Sequence, residues 1–132
     1  MSGAVTEERT IAIIDDDESV RITTSSFVRS LGFAATAFSS AEEYLLSPQR
    51  YRSLCLISDV QMPGMSGLDL QSHLAAQGPR VPIIFITAFP DANIRSRALA
   101  RGAVCFLDKP FDSQALSRCI DIALKDNADQ KA

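Results

Sequence analysis

The sequence predicts a doubly wound α/β domain in which a five-stranded parallel sheet lies between two layers of helices. The chain has 132 residues, which is the size of one domain, and 46% of them are hydrophobic, which is enough to form a core. Short apolar runs alternate five times with amphipathic stretches along the chain. Apolar strands that are each followed by a helix are typical of a parallel sheet covered on both faces.

The strands are expected where apolar residues run almost without interruption. The first run is compact and β-branched, the second is weaker, and the fourth is the most apolar. Runs of this length and composition are typical of buried strands. In chain order, the five predicted strands are Thr10–Ile14, Ala34–Phe38, Leu54–Ser58, Val81–Thr87 and Ala103–Leu107.

The helices are expected where apolar residues recur at helical spacing between capping and breaking residues. Ser39 or Ser40 caps the second helix and Asp112 the last one, while Gly32 and Gly102 end the first and the fourth. In chain order, the predicted helices are Glu18–Leu31, a short helix through Leu46, Gly67–Ala76, Asp91–Arg101 and a last helix through Leu124. We therefore expect a folded domain over residues 10–125, a disordered extension over 1–9 and a flexible tail over 126–132.

Composition argues against several classes of function. Thirteen Lys and Arg against 16 Asp and Glu give a net charge of −3, so a mainly electrostatic grip on nucleic acid is not expected. No segment reaches the ~20 apolar residues that span a bilayer, and Met1–Thr10 is polar, so neither a membrane span nor a signal peptide is expected. Cys55, Cys105 and Cys119 lack CxxC spacing and lie in or beside apolar runs, which predicts buried free thiols in a reducing cytoplasm.

Polar side chains follow the strands at the points where the strands end. Asp15–Asp17 follows the first strand, Asp59 the third, Thr87 ends the fourth, and the fifth leads to Lys109. The carboxyl ends of parallel strands meet at one edge of a sheet, so these groups should converge there. Clustered carboxylates need a cation, and oxygen ligands favour Mg²⁺. Such a site can handle a phosphoryl group, because a carboxylate can attack phosphorus while Mg²⁺ and Lys offset the oxygen charges.

The motifs at these positions resemble the receiver domains of bacterial two-component response regulators. The matching stretches are Ile13–Asp17, Ser58–Gly67, Ile86–Ala88 and Phe106–Phe111, in family order and at family spacing. The Gly-Ala-x-x-Phe-Leu-x-Lys-Pro-Phe ending is most similar to receivers of the nitrogen-fixation regulator type, which usually carry a helix-turn-helix output domain that this sequence does not include. The resemblance implies a (βα)5 flavodoxin-like receiver fold and a signalling switch that turns over no external substrate.

The resemblance also implies a role for each residue of the motifs. Asp59 corresponds to the phosphoacceptor, which takes a phosphoryl group from a phosphohistidine. Asp16 corresponds to a direct Mg²⁺ ligand, and Asp15 to a ligand that binds directly or through water. Gln61 would supply its backbone carbonyl to the metal. Thr87 would hydrogen-bond a phosphoryl oxygen in the active state.

Three further residues of the last motif have implied roles. Lys109 would pair with Asp59 or with its phosphoryl group, and the Lys109–Pro110 peptide bond would be cis. Phe106 corresponds to the switch aromatic, which rotates inward when Thr87 moves toward phosphate. A plain core aromatic on the fifth strand explains Phe106 equally well.

Partners follow from the same resemblance. A histidine kinase or phosphotransfer protein would supply the phosphoryl group, and a downstream protein or a missing output domain would receive the signal at the face of the fourth helix, fifth strand and last helix. Arg95, Arg97 and Arg101 lie there and fit either an acidic partner or an ordinary solvated face. Homodimerisation on phosphorylation stays open. The Met1 start and the short polar tail favour a stand-alone regulator over an excised domain.

Two positions bear on how long a phosphoryl group would last. Gln61 lies two residues after Asp59, and Phe89 two residues after Thr87. In the family both positions face the path of the attacking water, and an apolar Phe89 cannot orient that water. We expect slow to moderate self-dephosphorylation. Asp17 is better explained as an acidic residue at the start of a helix than as a third ligand from the first strand.

Two alternative functions remain at this point. Asp15-x-Asp17 after a strand resembles the nucleophile motif of haloacid-dehalogenase-type phosphatases. Those phosphatases also need a later acidic motif to hold Mg²⁺, for which Asp108 is the only acid near the last strand, and a phosphatase would leave Asp59 and its Met-Pro loop unexplained. A scaffold that keeps the receiver fold without phosphorylation is the other alternative. Replacing Asp59 and Asp15 separately would distinguish the phosphatase from the receiver.

Overall fold

The computed structural model describes residues 9–50, 52–77 and 81–131, and in them strand and helix alternate from first to last. The strands are β1 (Thr10–Ile14), β2 (Ala34–Phe38), β3 (Cys55–Asp59), β4 (Ile83–Thr87) and β5 (Cys105–Asp108). The helices are α1 (Glu18–Ser30), α2 (Ala41–Leu45), α3 (Gly67–Gln77), α4 (Ala92–Ala100) and α5 (Ser113–Lys131). The predicted alternation of five strands and five helices is confirmed.

The five strands form one parallel sheet in the order β2-β1-β3-β4-β5. The chain winds outward from β1 to β2, returns past β1 to β3, and then continues in the opposite direction. The carboxyl ends of β1 and β3 therefore lie side by side at the point where the winding reverses. In open α/β sheets, this is where a crevice forms and ligands bind.

The core lies in two apolar layers, one on each face of the sheet. Leu56 belongs to the layer that includes residues of α2, α3 and α4, whereas its neighbour Ile57 belongs to the layer that includes Val28 of α1 and Leu116 of α5. Successive strand side chains point to opposite faces, so a strand buried on both sides is apolar throughout. The predicted three-layer α/β/α architecture is confirmed.

The element boundaries differ from the predicted ones by a few residues at most, except at the end of the chain. β3 includes Asp59 because this residue pairs with Ile86 of β4, and β5 likewise extends to Asp108. Helix α5 continues to Lys131, through most of the stretch predicted to be a tail. The flexibility of that stretch stays a prediction, and residues 1–8 of the predicted extension lie outside the described residues.

Capping groups fix the starts of the helices that flank the sheet edge. The Asp17 carboxylate accepts hydrogen bonds from the backbone N–H groups of Ser19 and Val20, at 2.9 and 3.4 Å, and so caps α1. The Ser19 hydroxyl also donates to this carboxylate, and its hydrogen bond, followed by those of the backbone N–H groups, holds the pKa of Asp17 below its usual range. Ser40 caps α2 in the same way. Asp17 thus serves the start of a helix, as predicted.

The prediction of three free thiols is wrong for two of the cysteines. Cys105 of β5 and Cys119 of α5 form a disulfide, with their Cα atoms 6.0 Å apart. Cys55 in β3 is free and buried, and burial raises the pKa of its thiol to about 12. Sequence spacing missed the pair because packing of α5 on the sheet, rather than a local motif, brings the two residues together. In the described part of the chain, no helix is long and apolar enough to cross a bilayer.

Candidate functional site

The carboxylates predicted to converge do lie together at the edge of the sheet. Ile14 of β1 pairs with Ser58 of β3, so the next residues of these strands, Asp15 and Asp59, are neighbours. Carboxylate oxygens of Asp15, Asp16 and Asp59 all lie within 4.8 Å of one another. Asp15 is fully buried and Asp59 is 6% exposed, while Asp16 is exposed. The cluster therefore has two buried acids and one that faces solvent.

Lys109 brings a positive charge to this cluster from the loop after β5. Its Nζ lies 2.8 Å from Asp15 Oδ2 and 3.3 Å from Asp59 Oδ2. Burial by itself lowers the pKa of Lys109, but its contacts with Asp15 and Asp59 outweigh burial and raise that pKa above its ordinary value. The ammonium thus stays charged between two acids. The Lys109–Pro110 peptide bond is cis, the form that the resemblance implies.

Asp59 has surroundings that disfavour its charged form. Burial, followed by the negative charge of Asp15, raises the pKa of Asp59, and Lys109 offsets only part of this effect. Its Oδ1 also accepts a hydrogen bond from the backbone N–H of Gln61, at 3.2 Å. Asp59 is therefore a buried carboxylate whose negative charge is only partly compensated by Lys109.

The donor set fits a small divalent cation. Three carboxylates face one ammonium, which leaves a local charge of about −2 among the described residues. Asp15 Oδ2 is buried and its close partner is the Lys109 ammonium, at 2.8 Å; a carboxylate has lone pairs for several partners, so Asp15 can also bind a metal ion. Exposed Asp16 leaves the cluster accessible from solvent. Carboxylate oxygens without nitrogen or sulfur ligands suit Mg²⁺.

Thr87 and Phe106 occupy two buried positions on the neighbouring strands β4 and β5. Thr87 ends β4 and is 1% exposed; its Oγ1 accepts a hydrogen bond from the N–H of Phe89, and its carbonyl accepts one from the N–H of Lys109. Phe106 is buried, with its ring centre 6.3 Å from that of Phe85. The aromatic side chain is therefore already inward, and the rotation that the resemblance implies stays a prediction.

The remaining predicted site residues are Gln61 and three arginines, and all of them are exposed. Gln61 is exposed in the loop after Asp59, and the role of its backbone carbonyl stays a prediction. Arg95, Arg97 and Arg101 are exposed on or directly after α4, but Arg101 donates a hydrogen bond to Ser72 Oγ on α3, at 3.1 Å. Arg101 is therefore engaged within the protein. The assignment of the arginines to an output face stays a prediction.

Sequence reasoning gave no supporting role to three residues that contact the backbone of Asp15, of Asp59 or of the loop after Asp59. The Arg21 guanidinium donates to the backbone carbonyl of Asp15, at 2.7 Å, and the Glu42 carboxylate accepts from the N–H of Met65, at 2.9 Å. A Cβ at Gly67 would overlap the backbone carbonyl oxygen of Asp59. Gly67 ends the Ser58–Gly67 motif, but only the packed structure shows why a side chain does not fit there. The Glu42 contact joins residues too distant in sequence for any local pattern to reveal.

Comparison with known proteins identifies the family. A family model of the response regulator receiver domain matches residues 11–121. Response regulator protein TmoT of Ectopseudomonas mendocina is 43% identical over 125 residues, which are 95% of this chain and 57% of that protein. Transcriptional regulatory protein FixJ of Azorhizobium caulinodans is 35% identical over 124 residues, which are 94% of this chain and 59% of that protein. The chain belongs to the response regulator receiver domain family.

A solved structure supports the same assignment. The crystal structure titled FixJ-N superposes with a TM-score of 0.81 at 32% identity, and the match covers 91% of this chain and 96% of that one. This chain spans about half the length of the curated relatives it matches. The resemblance to bacterial two-component receivers, including those of the nitrogen-fixation regulator type, is confirmed. The chain is a receiver domain, and the receiver domains of response regulators are signalling switches.

Proposed function

We propose that this receiver accepts a phosphoryl group on Asp59 from a histidine kinase or phosphotransfer protein of the cytoplasm. Mg²⁺ would be held by Asp15, Asp16, Asp59 and the backbone carbonyl of Gln61. One observation carries the proposal: three carboxylates have oxygens within 4.8 Å of one another, and Lys109 is the ammonium that the described residues place against two of them, Asp15 and Asp59. Such a cluster needs a cation to be stable and needs little further change to receive a phosphoryl group.

The transfer would be an in-line displacement. A carboxylate oxygen of Asp59 attacks phosphorus, an O–P bond forms, and the N–P bond of the phosphohistidine breaks with its electron pair going to the imidazole. The leaving imidazole takes a proton from solvent. Lys109 lies close enough to Asp59 to pair with the phosphoryl oxygens. When bound, Mg²⁺ would neutralise charge on those oxygens.

The response would pass from the site to the surface through Thr87 and Phe106. The Thr87 hydroxyl would exchange its hydrogen bond with the Phe89 N–H for one to a phosphoryl oxygen. Phe106 and the face formed by α4, β5 and α5 would follow, so that a two-state equilibrium shifts toward the form recognised by a partner or output domain. No direct contact with nucleic acid or membrane and no turnover of an external substrate are part of this proposal.

Incubation with acetyl phosphate and Mg²⁺, followed by intact mass measurement, tests the proposal. The wild-type chain should gain one phosphoryl group, and Asp59→Asn should gain none. Asp17→Asn is the matched control, because Asn can also cap a helix and the exchange removes a neighbouring acid outside the cluster.

Two results would contradict the proposal. A wild-type chain that gains no phosphoryl group would support the phosphate-independent scaffold. A phosphoryl group that persists in Asp59→Asn but is lost in Asp15→Asn would place the nucleophile on β1, as in the phosphatase alternative.

A further inference from the structure

The disulfide joins the last strand to the last helix on the face of the sheet that α5 covers. Cys105 begins β5, an edge strand, and is partly exposed, whereas Cys119 lies in α5 and is 5% exposed. Both belong to the apolar layer that also includes Ile84 and Ile120. Their Cα separation of 6.0 Å falls within the range of ordinary disulfides. The native packing therefore accommodates the oxidised pair.

The segment between the two cysteines carries residues of the phosphorylation site. The cross-link closes a loop with a sequence separation of 14, and this loop includes Phe106, Lys109 and Pro110. Lys109 in turn contacts Asp15 and Asp59. A covalent bond at the ends of such a loop reduces the number of conformations open to it. Oxidation of the two sulfurs therefore restricts the conformations of the segment that joins β5 to Lys109 and the acidic cluster.

The third cysteine differs from this pair in every relevant respect. Cys55 lies in β3, between β1 and β4, is fully buried and has a thiol that burial keeps protonated. Reaction with oxidants requires a thiolate and access, and Cys55 offers neither. Oxidation is thus confined to Cys105 and Cys119, and Cys55 serves as an internal control.

We propose that Cys105 and Cys119 are a reversible redox modification site that reacts with hydrogen peroxide. Cys105 is the more exposed of the two, so its sulfur attacks the peroxide oxygen; the O–O bond breaks, one water leaves and a sulfenic acid forms. The Cys119 sulfur then attacks that sulfur, the S–S bond forms, and a second water leaves. Two thiols are oxidised and one peroxide is reduced to two waters. A dithiol then reduces the disulfide back to two thiols by thiol–disulfide exchange.

A disulfide in a compartment that keeps thiols reduced is usually a sensor rather than a permanent brace. In this receiver, oxidation ties β5 to α5 while Phe106 packs on the other face of the sheet, against Phe85. The oxidised form therefore responds less at β5 and α5 when the acidic cluster is phosphorylated. This consequence rests on the proposed function, whereas the redox site itself does not.

Thiol counting on the full chain tests the site. The chain is fully reduced and treated with hydrogen peroxide. It is then unfolded in denaturant that contains N-ethylmaleimide, which alkylates every free thiol, and its intact mass is measured. We expect three adducts before oxidation and one afterwards, with the remaining adduct on the Cys55 peptide and the other two cysteines joined within one chain. Dithiothreitol should restore three adducts.

Variants make the result specific. Cys119→Ser should form no intramolecular disulfide, and Cys55→Ala should keep two oxidisable thiols and end with no adduct. Peptide mapping of the wild-type chain gives the same assignment without any variant. A link that includes Cys55, a link between chains, or three adducts after oxidation would overturn the proposal.

Amide hydrogen exchange tests the consequence in the oxidised and the reduced chain. The exchange of β5 and α5 is compared with and without acetyl phosphate and Mg²⁺, and the phosphate-dependent change should be smaller in the oxidised chain. Equal changes in both forms would overturn the coupling. Intact mass of the same samples shows whether each form has gained a phosphoryl group, so a failure of the proposed function is recognised separately.

Discussion

The middle of the sheet and its β5 edge differ in burial and in what they carry. Strands β1, β3 and β4 are buried along their whole length, and the buried acids Asp15 and Asp59 lie at the ends of two of them. In β5 only Phe106 is buried, and its neighbours on either side are partly exposed. The acids are therefore fixed by the most fully buried strands, whereas Phe106 belongs to a strand that is less buried and Lys109 lies in the loop directly after it.

This difference suggests how the domain separates chemistry from response. A segment with few buried apolar contacts opens locally at a lower free energy than one in the middle of a core. The acidic cluster needs fixed positions, whereas a switch needs a segment that can move. Predictions that compare the middle with the edge test this division of labour.

Thiol reactivity should show the largest contrast. At the middle, the pKa of Cys55 is about 12 against an ordinary value of 9.0, so its thiolate fraction near neutral pH is lower by roughly 1000-fold. In the reduced native chain, iodoacetamide should label the edge cysteine Cys105 first and Cys55 only after unfolding. Time-resolved labelling with peptide mapping measures both rates. Labelling of Cys55 in the native chain as fast as Cys105 would show that the middle of the sheet opens readily.

Truncation of one apolar side chain on each strand should separate the two regions by stability. Ile57 of β3 and Leu107 of β5 belong to the same apolar layer, but Ile57 is fully buried and Leu107 is not. Ile57→Ala should lower the free energy of unfolding by about 3 kcal/mol, and Leu107→Ala by about 1 kcal/mol. Urea denaturation of both variants gives the values. Equal losses would mean that β5 is packed as tightly as β3.

A methyl group added at Gly67, next to Asp59, should destabilise the fold somewhat less than Ile57→Ala does. At Gly67 an added Cβ would lie 2.9 Å from the Phe85 ring and 3.0 Å from Val60 Cα, besides overlapping the Asp59 carbonyl. Gly67→Ala should therefore lower the free energy of unfolding by about 2 kcal/mol, since neighbouring backbone must shift. Gly32→Ala is the control, because its Cβ would meet nothing within 4 Å and only its φ of +97° is unfavourable.

The control sets the scale for this prediction. Backbone strain of that kind costs about 1 kcal/mol. Thermal or urea unfolding compares the two variants. If Gly67→Ala is no less stable than Gly32→Ala, the loop after β3 yields easily and does not fix Asp59.

The middle of the sheet was also the part that could be predicted most fully from the sequence. β1 has the predicted bounds because a short, uninterrupted and β-branched apolar run is typical of a strand that is buried on both faces of a parallel sheet. The meeting of Asp15 with Asp59 follows from strand ends that share one edge. The local apolar pattern and the strand topology are therefore sufficient to predict both features.

The edge and the supporting contacts could not be predicted in the same way. The disulfide between Cys105 and Cys119 depends on how α5 lies on the sheet. The shorter Lys109 contact is with Asp15, although the resemblance pairs this lysine with Asp59. Side chains that reach across from another element leave no periodic signal, so their partners emerge only from the packed structure.

The smallest predicted effect concerns the lifetime of the phosphoryl group at the exposed loop after β4. Phe89 is 69% exposed, so its replacement should leave the fold unchanged. It lies two residues after Thr87, and an apolar ring there cannot orient an attacking water. Phe89→Glu should shorten the half-life of the phosphorylated chain by roughly fivefold, which is less than a fully positioned general base contributes.

Intact mass followed over time after removal of acetyl phosphate measures that half-life. Phe89→Leu is the matched control, since it keeps an apolar side chain and should leave the half-life unchanged. Equal half-lives in all three chains would show that water reaches Asp59 by a path that does not pass Phe89. The loop after β4 would then have no effect on the rate of dephosphorylation. That rate would be set instead by how the packing around Asp59 limits the access of water.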